Sequence, residues 1–324
     1  MATEFIRADG PSTDKSRRQA ILKAHPEVKA LMGRNPWTAA WIVGLVGTQW
    51  AAAALLARYE AHWALIVVLA FGFGAFVNHA LYVLFHECTH NLVFEPGWSN
   101  KVLGIVCDFA LVFPTALSFR KYHLLHHKHL GHYELDPDVV SDAEARLIGR
   151  SWWRKAIWLS LFSLSVALRP LKVTSQRMWD PWIVSNMIAV IAVDVAILLL
   201  AGPFALGYLA LSTAFALGLH PLGGRWLQEH YVTEPGQETY SYYGPLNRTC
   251  FNMGYHNEHH DFANVPWNNL AKLRAAAPEF YNHLRWYRSW SWVVWNFIFN
   301  PEMSGYSRIV RGLEARPEER LAAE

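Results

Sequence analysis

The sequence has little charge and few cysteines. Of its 324 residues, 17% are charged and 52% are hydrophobic, whereas an ordinary soluble domain is about 25% charged. So much apolar surface excludes a disordered chain, and 3 cysteines cannot form the disulfide framework of a small secreted fold. The net charge of +3 is too small to indicate a nucleic-acid-binding surface. We therefore expect a membrane protein, of which much lies outside lipid because the mean hydropathy is only +0.07.

Four apolar runs predict membrane-spanning helices in two pairs. The first pair occupies 37–57 and 63–85, and the second occupies 182–201 and 203–219 with a break at Gly202. A helix needs about 20 apolar residues to cross a bilayer. The short links within each pair predict two antiparallel hairpins. No apolar segment with a cleavage site precedes them, so we expect no cleavable signal peptide.

Two further apolar runs are ambiguous. Residues 102–119 contain Asp108 and Pro114, and residues 157–168 are too short to span. We expect both to form interfacial or buried helices, the first crossing at most as a re-entrant loop.

The basic residues predict the orientation. If the outside loops are 58–62 and residue 202, Arg58 is the only one of the 29 Lys and Arg residues on the outside. Basic residues collect on the cytosolic side. We therefore expect both termini and the segments between the hairpins to be cytosolic.

Histidine is abundant, with 16 residues, and half of them form three clusters. The clusters read HxxxH at 86–90, HxxHH at 123–127 and HxxHH at 256–260. On a helix, residues three and four apart share one face, so each cluster can direct its imidazoles to one point. Eight neutral imidazoles suit a pair of borderline metal ions. If both hairpins are complete, all three clusters emerge on the cytosolic face and can converge.

Two other classes of protein remain open at this point. His86-Glu87-x-x-His90 also matches the HExxH motif of zinc proteases, but such a site needs only one further ligand and leaves two clusters unexplained. In either case Glu87 could orient a ligand. The third class is a non-catalytic lipid-binding membrane protein, against which the complete set of eight histidines argues.

The clusters and their surroundings resemble the sphingolipid delta-4 desaturases, within the membrane fatty-acid desaturase and hydroxylase superfamily. The resemblance rests on HECTHN (86–91), RKYHLLHHKHLG (120–131), ETYSYYGPLN (238–247) and GYHNEHHDF (254–262), and it extends from 17–32 to 306–311.

The resemblance implies an all-α membrane protein whose two hairpins carry a cytosolic helical cap with a histidine-rich di-iron site. The implied iron ligands are His86, His90, His123, His126, His127, His256, His259 and His260. It further implies a ninth ligand, for which His230 fits better than His220. Arg225 departs from the family, in which we expect another histidine.

The implied reaction is the introduction of a trans 4,5 double bond into the sphingoid base of dihydroceramide. It would need two Fe²⁺ ions, dioxygen, and electrons from NAD(P)H through a reductase and a cytochrome b5-type donor. The alternatives are hydroxylation at carbon 4 of the sphingoid base and the desaturation or hydroxylation of another lipid. A basic surface with Arg17, Arg18, Arg120 and Lys121 could receive an acidic donor, although positive-inside topology explains these residues equally well.

Three polar residues within the apolar runs are substrate candidates: Asn78, His79 and Asp194. Ionisable groups inside a membrane are functional candidates by default, although Asp194 could equally bond a neighbouring helix. The expected location is the endoplasmic reticulum of a eukaryote or the inner membrane of a bacterium.

We expect a single desaturase domain over 1–324. Its predicted parts are a cytosolic segment (1–36), a first hairpin (37–85), a cytosolic or interfacial segment with boxes one and two (86–181), a second hairpin (182–219), a cytosolic segment with box three (220–310) and a loose tail (311–324).

Overall fold

A computed structural model describes residues 3–173 and 176–313, where the chain is mostly helical. The α-helices are α1 Thr13–Ala24, α2 Trp37–Arg58, α3 Trp63–Thr89, α4 Gly97–Leu111, α5 Ala116–Lys128, α6 Asp142–Ile148, α7 Trp152–Ser160, α8 Phe162–Leu168, α9 Pro181–Leu217, α10 Gly224–His230, α11 His256–Asp261, α12 Leu270–Ala276, α13 Pro278–Tyr281 and α14 Trp290–Phe299. A π-helical stretch at Ala70–Gly74 lies within α3.

Two pairs of very short parallel strands accompany the helices. β1 Ile6–Arg7 pairs with β4 Ile309–Val310, and β2 Ser241–Tyr242 pairs with β3 Trp286–Tyr287. The expectation of an all-α chain misses these strands because two residues are too few to show an alternating pattern. Of the tail predicted at 311–324, the residues from 314 onward lie outside the described part of the chain.

Three helices are long and apolar enough to cross a membrane: α2, α3 and α9. The 27 residues of α3 extend about 40 Å at 1.5 Å per residue, whereas the hydrocarbon core of a bilayer is about 30 Å thick. This length is sufficient to carry His86 out of the hydrocarbon.

Helix α9 breaks at Gly202, where φ is 83° and ψ is 177°. On either side of the break, Asn186 bonds to Asp108 and Thr213 bonds to the carbonyl oxygen of Leu111. Asp108 and Leu111 are one turn apart on α4, whereas Asn186 and Thr213 would be about 40 Å apart in a continuous helix. The chain therefore reverses direction at Gly202, as the sequence break predicts.

The predicted run 102–119 is divided into α4 and α5. These helices are long and apolar enough to cross a membrane only when taken together, and they are bent by 119° relative to each other. Val112 has a left-handed φ of 68° between them. The buried carboxylate of Asp108 accepts hydrogen bonds from the backbone nitrogen of Ala116 at 2.9 Å and from Thr115 Oγ1 at 3.1 Å. Asp108 thus satisfies the free N-terminus of α5 and fixes the bend, which turns α5 away from a straight crossing.

The second ambiguous run, 157–168, is divided between α7 and α8. Ile157, Leu161, Leu164 and Leu168 are all exposed on or between these helices, and their interfacial placement stays a prediction.

A buried amide network holds the apolar helices together. Asn78 on α3 accepts a hydrogen bond from Gln49 Nε2 on α2 at 2.5 Å and donates to Thr213 Oγ1 on α9 at 2.8 Å. The Nδ2 atom of Asn78 also lies 3.3 Å from the carbonyl oxygen of Ala110 on α4. The hydroxyl of Tyr208 on α9 donates a hydrogen bond to Oε1 of Gln49. Polar bonds of this kind join helices in lipid, where apolar side chains give little preference for one neighbour over another.

The N-terminal helix is fixed to the third histidine cluster by a buried ion pair. The guanidinium of Arg17 on α1 donates to both oxygens of Asp261, at 2.7 and 2.8 Å, and the carboxylate of Asp261 is fully buried. Ile21 and Phe262 pack in the same apolar cluster. A bidentate pair of this kind is geometrically specific, so α1 and α11 are held in one orientation.

We predict that Asn78→Leu lowers the free energy of unfolding by about 1–3 kcal/mol, because Gln49 and Thr213 lose a buried partner. Thermal unfolding of the detergent-solubilised protein measures the effect. Leu200→Ala, at a side chain that is 88% exposed, is the control and should leave the midpoint unchanged. An unchanged midpoint for Asn78→Leu, together with weaker binding of lipid substrate, would assign Asn78 to the substrate instead.

Candidate metal centre

Nine of the histidines singled out in the sequence converge on one region. Box one places His86 in the last turn of α3 and His90 just beyond it, box two lies on α5, and box three lies on α11. The ninth, His230, is the last residue of α10. The side-chain nitrogens of eight of these nine histidines form two groups that could each hold a metal ion, and within each group they lie no more than 4.8 Å apart.

The first group contains five histidines from all three boxes: His86, His90, His123, His127 and His259. The Nε2 atom of His123 lies 2.8 Å from that of His86 and 3.0 Å from that of His127, which is in turn 3.0 Å from Nε2 of His259. Two ligands at right angles on one ion, with bonds of about 2.1 Å, would be about 3.0 Å apart. These separations therefore fit imidazoles that share an ion.

The second group contains His126, His230 and His260. His256 adjoins it, with its Nε2 atom 3.1 Å from that of His230. Nε2 of His260, like Nε2 of His90 in the first group, is buried without a hydrogen-bond partner among the described residues. A buried polar atom without a partner is costly, so these nitrogens also fit a metal pair.

Burial and neighbouring charges favour the neutral form of several of these imidazoles. Burial, followed by the charge of Arg120, lowers the pKa of His90 to about 3. Burial also lowers the pKa of His230, His256, His259 and His260, with neighbouring imidazoles contributing in each case. A neutral imidazole has a free lone pair, which is the form that binds a metal.

A carboxylate orients one histidine of box two. Nδ1 of His126 lies 2.9 and 3.0 Å from the two oxygens of Asp136. Asp136 is itself fixed by the backbone nitrogens of Gly131 and Asp138, both at 2.8 Å. Because a carboxylate accepts the Nδ1 proton, Nε2 of His126 is left free toward the centre.

A second carboxylate stands behind box three. Oε1 of Glu229 lies 3.6 Å from Nδ1 of His256 and accepts a 2.7 Å hydrogen bond from Nε of Arg225. Arg225 is buried, and its guanidinium lies 3.9 Å from the ring centroid of Trp226. Arg225 therefore places a cation, paired with Glu229, next to the histidine cluster.

The segment that precedes box three supports it from behind. Glu258, fully buried within α11, accepts hydrogen bonds from Ser241 Oγ at 2.7 Å and from Tyr243 OH at 2.6 Å. Tyr242 stacks on Trp290 with a centroid distance of 4.3 Å. The tyrosine-rich segment thus sets the orientation of α11 and of its histidines.

Glu87 does not have the position that a zinc protease requires. Its Oε2 atom accepts a hydrogen bond from the backbone nitrogen of Trp267 at 3.0 Å, and among the described residues no hydrogen bond or ion pair joins its carboxylate to a histidine. The HExxH interpretation needs this carboxylate as a general base or as an orienting group for a ligand. In the structure it bonds instead to the backbone of Trp267.

The substrate candidates lie away from the two groups. Asn78 belongs to the interhelical network, and His79 is fully buried against Trp290 at a ring distance of 5.8 Å, with neither nitrogen bonded in the described chain. Asp194 is only part-buried, and its Oδ1 atom has no partner among the described residues. His220, the weaker candidate for a ninth ligand, accepts a hydrogen bond from Leu222 and packs against Phe71, outside both groups.

Two of the basic residues considered for an acidic donor are used inside the protein. Arg17 pairs with Asp261, and Arg120 donates to the carbonyl oxygens of Cys88 and Thr89. Both side chains bond to residues in or beside the histidine boxes, so they stabilise the fold around these boxes.

Sequence reasoning missed Asp136 and Glu229 as partners of the ligand candidates. Glu229 lies next to His230, and a carboxylate beside a ligand candidate is a sequence signal that can identify such a partner. Asp136 lies 10 residues after His126 in an Asp-Pro turn, which indicates a loop and gives no indication of its partner.

The comparisons with known proteins agree with this geometry. The family model of fatty acid desaturases matches residues 61–292, and that of sphingolipid Delta4-desaturases matches residues 3–37. A protein of Oryza sativa subsp. japonica named sphingolipid delta(4)-desaturase DES1-like is 40% identical over 313 residues, covering 96% of this chain and 94% of that protein.

Animal proteins are similar over the same extent. The sphingolipid delta(4)-desaturase DES1 of Drosophila melanogaster is 37% identical over 311 residues, which is 95% of each chain. The sphingolipid delta(4)-desaturase/C4-monooxygenase DES2 of Homo sapiens is 38% identical over 315 residues, covering 95% of this chain and 94% of that protein. On its sequence, fold and histidine boxes, the chain belongs to the sphingolipid delta-4 desaturase family.

Proposed function

We propose that the protein is an O2-dependent di-iron desaturase that introduces a trans 4,5 double bond into the sphingoid base of dihydroceramide. The observation that carries this proposal is the convergence of nine histidines into two adjacent groups. The names of the similar proteins support the substrate class.

The histidines divide naturally between two ions. His86, His90, His123, His127 and His259 would hold one ion, and His126, His230, His256 and His260 would hold the other. Bound iron supplies the activation of dioxygen, which no side chain can supply. Asp136 orients His126 through its hydrogen bond to Nδ1, and the carboxylate of Glu229 lies 3.6 Å from Nδ1 of His256. The ligand candidates are buried or half-buried, which limits the access of water to the centre.

The reaction requires electrons from another protein. Forming one double bond removes two hydrogens, and reducing dioxygen to two waters then takes two further electrons and two protons. The sequence has no flavin or nicotinamide motif, so the electrons would come from NAD(P)H through a reductase and a cytochrome b5-type donor.

Four membrane spans, with both termini and the metal centre in the cytosol, are the proposed topology. The reversal at Gly202 supports a second hairpin, and the bend between α4 and α5 supports a re-entrant segment that keeps box two on the same side as boxes one and three. The cap over the centre would be cytosolic, in the endoplasmic reticulum of a eukaryote or at the inner membrane of a bacterium.

Expression in a host that lacks the activity, followed by mass spectrometry of its lipids, tests the function. We expect dihydroceramide to lose two hydrogen atoms when dioxygen and a compatible donor are present. A gain of one oxygen atom would instead indicate C4-hydroxylation, which the name of the human relative includes. Unchanged lipids would contradict both.

We predict that His259→Ala abolishes the product, because a ligand of the first group is lost, while the protein remains in the membrane fraction. Lipid analysis and immunoblotting of fractions measure the two effects. His25→Ala, at a histidine that bonds to Glu27 and Glu279 and belongs to neither group, is the control and should retain activity. Full activity of His259→Ala would refute the assignment of box three.

We predict that Asp136→Asn weakens iron retention by about 10–100-fold, as expected when a carboxylate behind a ligating histidine is lost. Iron per chain after titration with a chelator gives the measurement. Glu95→Gln, at a carboxylate whose side chain is 85% exposed, is the matched control. Iron retention equal to the wild type in Asp136→Asn would show that His126 is oriented by other means.

A further inference from the structure

A groove on the surface beside box three lies at one end of a chain of contacts that reaches the histidines. Its volume is about 970 Å³, and its lining comes from two segments, 234–237 and 283–289, with Trp292 at its edge. The strand pair β2–β3 connects the second segment to the tyrosine-rich segment that precedes box three, because Ser241 pairs with Trp286.

Aromatic rings lead inward from this groove. The ring of Trp286, which lines the groove, lies 5.4 Å from that of Tyr243. Tyr243 donates a 2.6 Å hydrogen bond to Glu258, and Glu258 is bonded through the backbone to His259. Two aromatic side chains and one hydrogen bond thus join the surface to the first histidine group.

The charge and composition of the groove favour a protein partner. Arg285 and Arg288 are exposed in its lining, where Glu234 is the only carboxylate. The guanidinium of Arg288 lies 5.0 Å from the Trp286 ring centroid. Tryptophan and arginine are enriched at the energetic centres of protein interfaces, and a net positive lining attracts an acidic face.

We propose that this groove docks an acidic one-electron carrier protein and that electrons pass from it through Trp286 and Tyr243 to box three. The inference rests on the proposed function, because desaturation consumes two electrons that the chain cannot generate. Each carrier gives up one electron, so two reduced carriers are oxidised for each double bond, while the two protons come from water. This assignment replaces Arg17 and Arg120, which are bonded inside the protein.

The test uses the full-length, iron-loaded enzyme in lipid nanodiscs, with the soluble domain of a cytochrome b5 as the carrier and dithionite as a reductant that needs no docking site. The quantity measured is the ratio of product formed with the carrier to product formed with dithionite. We expect the double variant Arg285→Glu/Arg288→Glu to lower this ratio about tenfold at low salt, with a smaller difference from the wild type as salt screens the charges.

Substitutions at Trp286 separate the path from the docking surface. Trp286→Leu should slow the reoxidation of reduced carrier even at saturating carrier, whereas Trp286→Phe, which keeps an aromatic ring, should restore much of the rate. Stopped-flow absorbance of the carrier haem measures this rate.

Lys272→Glu is the control, because it makes the charge change of one of the two substitutions at an exposed residue outside the groove. An unchanged ratio in the double variant, or an equal fall in Lys272→Glu, would overturn the docking assignment. Equal rates for Trp286→Leu and the wild type would overturn the path. Failure of the wild type to form product with dithionite would contradict the proposed function and not the groove.

Discussion

The structure depends on the mutual approach of nine imidazoles in a space from which water is largely excluded. Nitrogens such as those of His86 and His123 lie 2.8 Å apart, and others, such as Nε2 of His90 and His260, have no hydrogen-bond partner in the described chain. Such an arrangement is unfavourable for isolated side chains, and a shared cation converts it into a stable one. The surrounding helices must therefore hold the histidines in place against their tendency to separate.

That restraint comes from polar groups placed within apolar helices and loops. Asp108 fixes the turn that directs α5, with all of box two, toward the centre. Asn78 joins α2, α3 and α9 below box one, and Glu258 anchors the helix of box three. Each box thus has its own buried polar support, and the three supports lie on different helices. Because each box lies on a different helix, the relative positions of the histidines depend on how all of these helices are fixed.

Local pattern was sufficient to predict the histidine boxes, because spacings of three and four residues decide which side chains share a helical face. The same holds for the break at Gly202, since Gly-Pro within an apolar run indicates a turn. His230 followed only from the resemblance to a family. The partners of the histidines could not be predicted: Asp136 reaches His126 through a loop whose path depends on tertiary packing. The sequence allowed a re-entrant loop at 102–119, but the position of the bend could not be predicted, because the partners of Asp108 are not visible in the sequence.

The contact between Arg17 and Asp261 gives the N-terminal segment a meaning that its position in the chain conceals. Residues 3–37 match the family model of sphingolipid Delta4-desaturases, whereas residues 61–292 match the more general family model of fatty acid desaturases. Helix α1, which lies in the specific part, is bound to the helix that carries the last three histidines of the general part. The specific part thus packs directly against the helix of box three, and a domain boundary drawn between the two matches would separate two helices that a buried ion pair joins.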